Sequence, residues 1–150
     1  MSEREQSGGG GAATNVPRPP ASYDAEKVAR GVIQCVQDVS TELGTGRPLD
    51  EYENALAGRL QDVKLKFAWQ YPFGVPFHGP ADRGFYADFV VEGWVLLELK
   101  AVDRLTDEQA AQARDYLQES GCRLCLLINF GQPQVEIRRF VPPDDVTHAQ

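Results

Sequence analysis

The sequence predicts an α/β fold in which helices flank a mixed β-sheet, and three observations carry that expectation. Two helix-period stretches come first, before any strand pattern. Two short apolar runs, 85–91 and 94–100, then meet across Glu92-Gly93. A third helical stretch separates the 94–100 run from another almost wholly apolar run at 122–129. A helix bridging two apolar strands implies that they lie parallel, whereas a tight turn joins antiparallel strands, so the sheet is expected to be mixed.

Each element follows from local signals. Residues 1–22 are rich in Gly, Ser, Pro and polar groups, with unbroken glycine from Gly8 to Gly11. Such a segment buries too little apolar surface to offset its ordering entropy, so a disordered tail is expected. From Tyr23 to Leu43, the residues Val28, Val32, Val36 and Val39 recur at helical spacing, and Gly44-Thr45-Gly46 ends the helix with glycine suited to a left-handed cap. A second helix is expected from about Pro48 to Leu60. Pro48 suits its first turn, Asp50 and Glu51 favour the positive end of its dipole, and Leu49, Tyr52, Leu56 and Leu60 form its apolar stripe.

Residues 64–77 read as one or two strands, with Pro72, Gly74 and Pro76 marking an edge or a bend. Phe85–Val91 and Trp94–Lys100 form a hairpin turning at Glu92-Gly93. Thr106 is a good N-cap for a helix reaching about Glu119; Gln109 is placed to complete a capping box, and Gly121 closes the helix. Cys122–Asn129 is apolar enough for a strand buried on both faces, and Val135–Val141 alternates as a last strand. Residues 142–150 are expected to be loose, leaving one domain over 23–141.

Hydrophobic residues make up 42% of the chain and charged residues 25%, ordinary values for a globular domain. No apolar run spans a bilayer, and the N-terminus lacks the basic-then-apolar pattern of a secretory signal, so no membrane partner and a cytoplasmic location are expected. The formal net charge of −7 argues against a strong general nucleic-acid binder. It leaves room for a nuclease, because a site built of carboxylates is acidic until cations invert its local charge. Arg59, Lys64, Lys66, Arg138 and Arg139 supply local basic content, which otherwise reads as solvated surface. Three cysteines is an odd count for a disulfide framework. Cys122 and Cys125 lie three strand steps apart, which puts them on opposite faces, so they and Cys35 are expected to be packing residues or inert thiols.

Asp88, Glu98 and Lys100 stand out because they interrupt apolar strands. A buried carboxylate without a partner costs several kcal/mol, roughly speaking. Two acids and a lysine gathered on one hairpin can instead hold a divalent cation beside a water, the layout of a metal-dependent phosphodiesterase site. Glu98 and Lys100 are two residues apart and so face the same side of their strand. The competing structural reading is a surface ion pair of small energetic weight.

Asp88 followed by Glu98-Leu99-Lys100 resembles the PD-(D/E)XK nuclease signature, and Gln112 with Tyr116 resembles the QxxxY element of the RecB-like branch. Four ordered blocks widen the match: Glu42-Leu43-Gly44-Thr45-Gly46, Tyr52-Glu53-Asn54-Ala55-Leu56, Glu98-Leu99-Lys100-Ala101-Val102 and Leu127-Ile128-Asn129-Phe130-Gly131. Together they resemble the small bacterial proteins called GxxExxY, over about residues 25–141.

The resemblance implies a restriction-endonuclease-like core and a Mg²⁺ site, with Mn²⁺ as a substitute, acting on DNA or RNA. Asp88 and Glu98 would share the ion with the backbone carbonyl of Leu99 and waters, and Lys100 would orient the attacking water. Gln112 would hold the lysine or a phosphate, with Tyr116 packed beneath it, the two sharing a helix face. Restriction-like cores of this size often act as pairs, so a homodimer is suggested. The chain departs from the pattern at Leu49, which stands where the family places a helix acid. Glu53, one turn along on the same face, can reach the site from a displaced position as a further metal ligand. A second departure is Gln109, where the family often has histidine.

Two other functional classes compete. One is a catalytically weakened member of the fold that binds nucleic acid or a protein, favoured by Leu49 and the net charge. The other is a redox or iron–sulfur protein built on Cys122 and Cys125.

Overall fold

The hairpin at the centre of the sequence organises the molecule. In the computed structural model, residues 23–73 and 85–143 are described. The elements run α1 (Ala25–Leu43), α2 (Leu49–Asp62), β1 (Phe67–Phe73), β2 (Phe85–Val91), β3 (Val95–Lys100), α3 (Asp107–Ser120), β4 (Leu124–Asn129) and β5 (Glu136–Phe140). The strands form one sheet in the order β1-β2-β3-β4-β5. β3 and β4 pair parallel, and every other neighbouring pair is antiparallel. This is the mixed α/β architecture expected, with α3 as the crossover between the parallel strands.

Helix ends follow the chemistry of the sequence. The Thr106 hydroxyl accepts from Gln109 N–H, and the Gln109 side chain accepts from Thr106 N–H, completing the capping box. Gly121 ends α3 with φ 78° and ψ 6°, in the left-handed region. Gly44 closes α1 at φ 70°, and Asp24 caps its start by accepting from the N–H groups of Glu26 and Lys27. Glu92 and Gly93 both take positive φ, 50° and 83°, as a mirror-image hairpin turn requires. The Lys66 N–H donates to the Glu92 carboxylate at 2.8 Å, tying this turn to the start of β1.

Two cores sandwich the sheet. α1 and α2 cover one face with Val32, Val36, Val39, Tyr52, Leu56 and Leu60, against Phe89, Leu97, Leu99, Leu126 and Ile128. α3 covers the other with Ala113 and Leu117, against Val90, Leu96, Cys125 and Leu127. β4 is buried along its whole length, as its composition requires.

Several boundaries move. The 64–77 strand is β1, Phe67–Phe73, because α2 runs on to Asp62 and Lys64 turns at φ 64°. Pro48 is the extended N-cap of α2 rather than part of its first turn. Trp94 lies in the turn rather than in β3. Residues 74–77, the 1–22 tail and residues 144–150 of the C-terminal tail lie outside the described residues.

The opposite-face placement of Cys122 and Cys125 is incorrect. β4 starts at Leu124, so strand periodicity does not govern Cys122, and both thiols join the α3-side core. All three cysteines are buried and free. Burial pushes Cys122 up to about 11 and Cys125 well above its ordinary value. Such thiols are unreactive, which removes the support for redox chemistry. Among the described residues, no helix is long and apolar enough to cross a membrane.

Candidate metal centre and active site

The site lies where β2 and β3 part. Their ladder ends at the pair Phe89↔Leu97, while β1 and β2 remain paired as far as Phe73↔Phe85. Beyond the last rung, Asp88 Oδ2 accepts the Leu99 N–H at 2.7 Å, so a side chain takes the place of a backbone partner. In a strand the N–H and C=O of one residue point to the same neighbour. The Leu99 carbonyl is therefore also turned towards Asp88. Glu98 is only 6% exposed. It accepts the backbone N–H of Asp88, yet its Oε2 is buried with no hydrogen-bond partner among the described residues.

The charges here are unbalanced. Burial pushes the Glu98 carboxyl up to about 8; the neighbouring charges of Asp88 and Glu53 add to this, and Lys100 opposes it. Burial also raises Asp88, against the Leu99 N–H and Lys100. Glu53 is raised by burial and by the charge of Asp88. Tyr116 is raised by burial and then by Glu98 and Asp88. Lys100 opposes the rise of both Asp88 and Glu98.

A divalent cation fits this arrangement. The orphaned Glu98 Oε2, the Asp88 carboxylate and the Leu99 carbonyl are hard oxygen donors around one gap in the sheet. Among the described residues, no three His, Cys, Asp or Glu side chains form a ready-made cage. The protein would supply part of an octahedron and water the remainder, as Mg²⁺ prefers.

The other expected residues divide. Glu53 is half-buried on α2, and the polar side chains of Trp69 and Gln70 oppose the rise that burial imposes on its carboxyl. Leu49 packs against the α1/α2 core, so its position supports the fold. Tyr116 sits half-buried beside the acids. Gln112, one turn before Tyr116 on the same helix, is exposed.

Residues 26–140 match the family model of the PD-(D/E)XK nuclease superfamily. The chain belongs to that superfamily. In this PD-(D/E)XK domain Asp88 lies on β2 and Glu98-Leu99-Lys100 on β3. No curated protein matches the chain. Among solved structures, an alkaline exonuclease from Laribacter hongkongensis is similar at 15% identity and a TM-score of 0.47, over 88% of this chain and 76% of that one.

Two features of the PD-(D/E)XK domain had no role assigned from sequence. Asn129, fully buried, accepts the N–H groups of Val102 (2.9 Å) and Gly131 (3.0 Å) and donates to the Val102 carbonyl at 2.9 Å. The Phe130 N–H donates to the Lys100 carbonyl at 2.8 Å. Together they clamp the chain leaving β3, and a Cβ at Gly131 would meet Val102 O at 2.1 Å, which is why glycine stands there. Tyr52 stacks on Phe130 with centroids 4.6 Å apart and donates its hydroxyl to Gly44 O at 2.6 Å. The quoted Asn-Phe-Gly and Tyr blocks therefore hold the frame around the acids.

Proposed function

We propose that this chain is a divalent-metal-dependent nuclease of the GxxExxY subgroup that cleaves phosphodiester bonds in DNA or RNA. The observation that carries this reading is the buried Glu98 with its unpartnered Oε2, beside an Asp88 that already binds the Leu99 N–H. Such a carboxyl is destabilising when ionised, and a bound cation would offset that cost.

Asp88, Glu98 and the Leu99 carbonyl would hold Mg²⁺ or Mn²⁺, with Glu53 reaching the ion through water. A cation bound there supplies a water of lowered pKa and polarises the phosphate. Lys100, on the same side of β3 as Glu98, would orient the attacking water and balance charge as the phosphorus–oxygen bond breaks. The Asn129 clamp and the Phe130 N–H bond to the Lys100 carbonyl fix the end of the strand that carries Lys100.

The competing reading, a weakened nucleic-acid or protein binder, draws on Leu49 and on the net charge of −7. Arg59 pairs with Glu42 and Asp38, Arg138 with Glu136, and Arg139 with Glu26, so these cations are partly neutralised. Calorimetry with Mg²⁺ and Mn²⁺ on wild type and Asp88→Ala, followed by cleavage assays on single- and double-stranded DNA and RNA, separates the two. Metal binding and cleavage that both vanish in the variant support the nuclease. A wild type that neither binds metal nor cleaves any substrate, with or without nucleic acid present, overturns it.

A further inference from the structure

Gln70 interrupts the edge strand of the sheet. Among the described residues, Lys64, Gln70 and Glu92 are the non-glycine positions with positive φ. Lys64 and Glu92 sit in turns, whereas Gln70, at φ 54°, lies inside β1. A residue with a Cβ rarely adopts this left-handed conformation, and a regular strand does not use it. The side chain of Gln70 is exposed, so its own packing does not explain the backbone.

The register shows what the kink does. β1 and β2 pair at Trp69↔Phe89 and at Tyr71↔Ala87, and the rung between them, Gln70 opposite Asp88, is missing. Each strand passes one residue there, so nothing is inserted and the break is not a bulge. Both strands roll over instead. Residues two apart share a face in a regular strand. Trp69 and Phe89 pack in the α1/α2 core, yet Tyr71 and Ala87 pack in the α3 core. Trp69 is fixed on its side by stacking on Phe89 at 5.6 Å. β1 is an edge of the sheet, so the roll breaks no second ladder.

Asp88 is the residue at the pivot. In a regular strand its carboxylate would stand on the α3 face with Val90. It accepts instead the Leu99 N–H at 2.7 Å, a group that points along the sheet towards the neighbouring strand. A side chain standing perpendicular to the sheet is poorly placed for that bond.

We propose that Gln70 is a positioning residue whose left-handed backbone rolls β2 at Asp88 and so swings the Asp88 carboxylate out of the α3 face to Leu99. The inference rests on the metal-site reading above and adds how Asp88 is brought to Leu99. The backbone of Gln70, not its amide, carries the effect.

The test compares Gln70→Val with Gln70→Gly by Mg²⁺ and Mn²⁺ calorimetry and by hydrogen exchange at the Leu99 amide. A β-branched residue resists positive φ and favours a regular rung, whereas glycine keeps the conformation and loses only the side chain. Gln70→Val is expected to weaken metal binding about tenfold, the scale of a group acting through a ligand. Its Leu99 amide should also exchange faster, and no faster once Asp88 is Ala. Gln70→Gly should match wild type in both readouts. Wild-type affinity in Gln70→Val, or a loss of affinity with the Leu99 amide unchanged, overturns the positioning role and leaves Asp88 and Glu98 as the metal site. Should Gln70→Val fail to fold, Gln70→Gly decides alone: a tenfold loss there overturns the proposal, and wild-type affinity with a protected Leu99 amide supports it. No metal binding by wild type overturns both readings.

Discussion

Asp88 and Leu99 are joined side chain to backbone at 2.7 Å, at the point where the ladder between their strands has ended. The bond does two things at once. It satisfies a Leu99 N–H that has lost its strand partner, and it holds the Asp88 carboxylate beside the strand that carries the buried Glu98. Structure and chemistry are therefore separable at this residue by one substitution.

Asp88→Asn keeps an oxygen to accept the Leu99 N–H and removes the charge. Its metal affinity should fall more than about 100-fold, since even groups acting through a ligand cost 10–100-fold. Its melting temperature should stay within a few degrees of wild type. Asp88→Ala, which also orphans the N–H, should lose about 1–2 kcal/mol of stability. Calorimetry and thermal melting on the two variants check this; equal metal binding by wild type and Asp88→Asn would remove Asp88 from the site.

Glu98 makes the metal-free protein pH-sensitive. Its carboxyl is raised from an ordinary 4.5 to about 8 in the folded chain. Between those values the folded state holds a proton that the unfolded state has released, so stability falls as pH rises through that window. Glu98→Gln cannot ionise. Its stability relative to wild type should grow between pH 5 and pH 9, by roughly 2–5 kcal/mol. Denaturant melts at several pH values measure the difference, and parallel curves for the two proteins would contradict the assignment.

The same proton must leave when a cation arrives, because the ligand is the carboxylate. Metal binding at pH 7 should release close to one proton, and less at pH 9. Calorimetry in two buffers of different ionisation enthalpy reads this directly. A binding heat independent of buffer would place the cation elsewhere.

The Asn129 clamp should prove expensive to disturb. Asn129→Ala strips partners from Val102 and Gly131 and should cost about 2–4 kcal/mol. Gly131→Ala drives a Cβ into the Val102 backbone and should cost a similar amount or prevent folding. Because both act on one contact, the double variant should lose less than the sum. Tyr52→Phe, missing only the bond to Gly44 O and the one accepted from Arg47 N, should cost about 1–2 kcal/mol and leave metal affinity unchanged.

Sequence alone determined the elements. Periodicity placed Val32, Val36 and Val39 in a core, turn chemistry placed the hairpin at Glu92-Gly93, and the Thr106–Gln109 pair marked a helix start, because each signal is encoded within a few residues. Strand spacing was enough to put Glu98 and Lys100 on one side of β3. Tertiary structure alone decided where the β2–β3 ladder stops, that Glu98 is buried with an oxygen unpartnered, that Gln112 stays in solvent, and that Cys122 shares a core with Cys125. These depend on register and on packing between distant segments, where burial and partners come from residues that local pattern does not name.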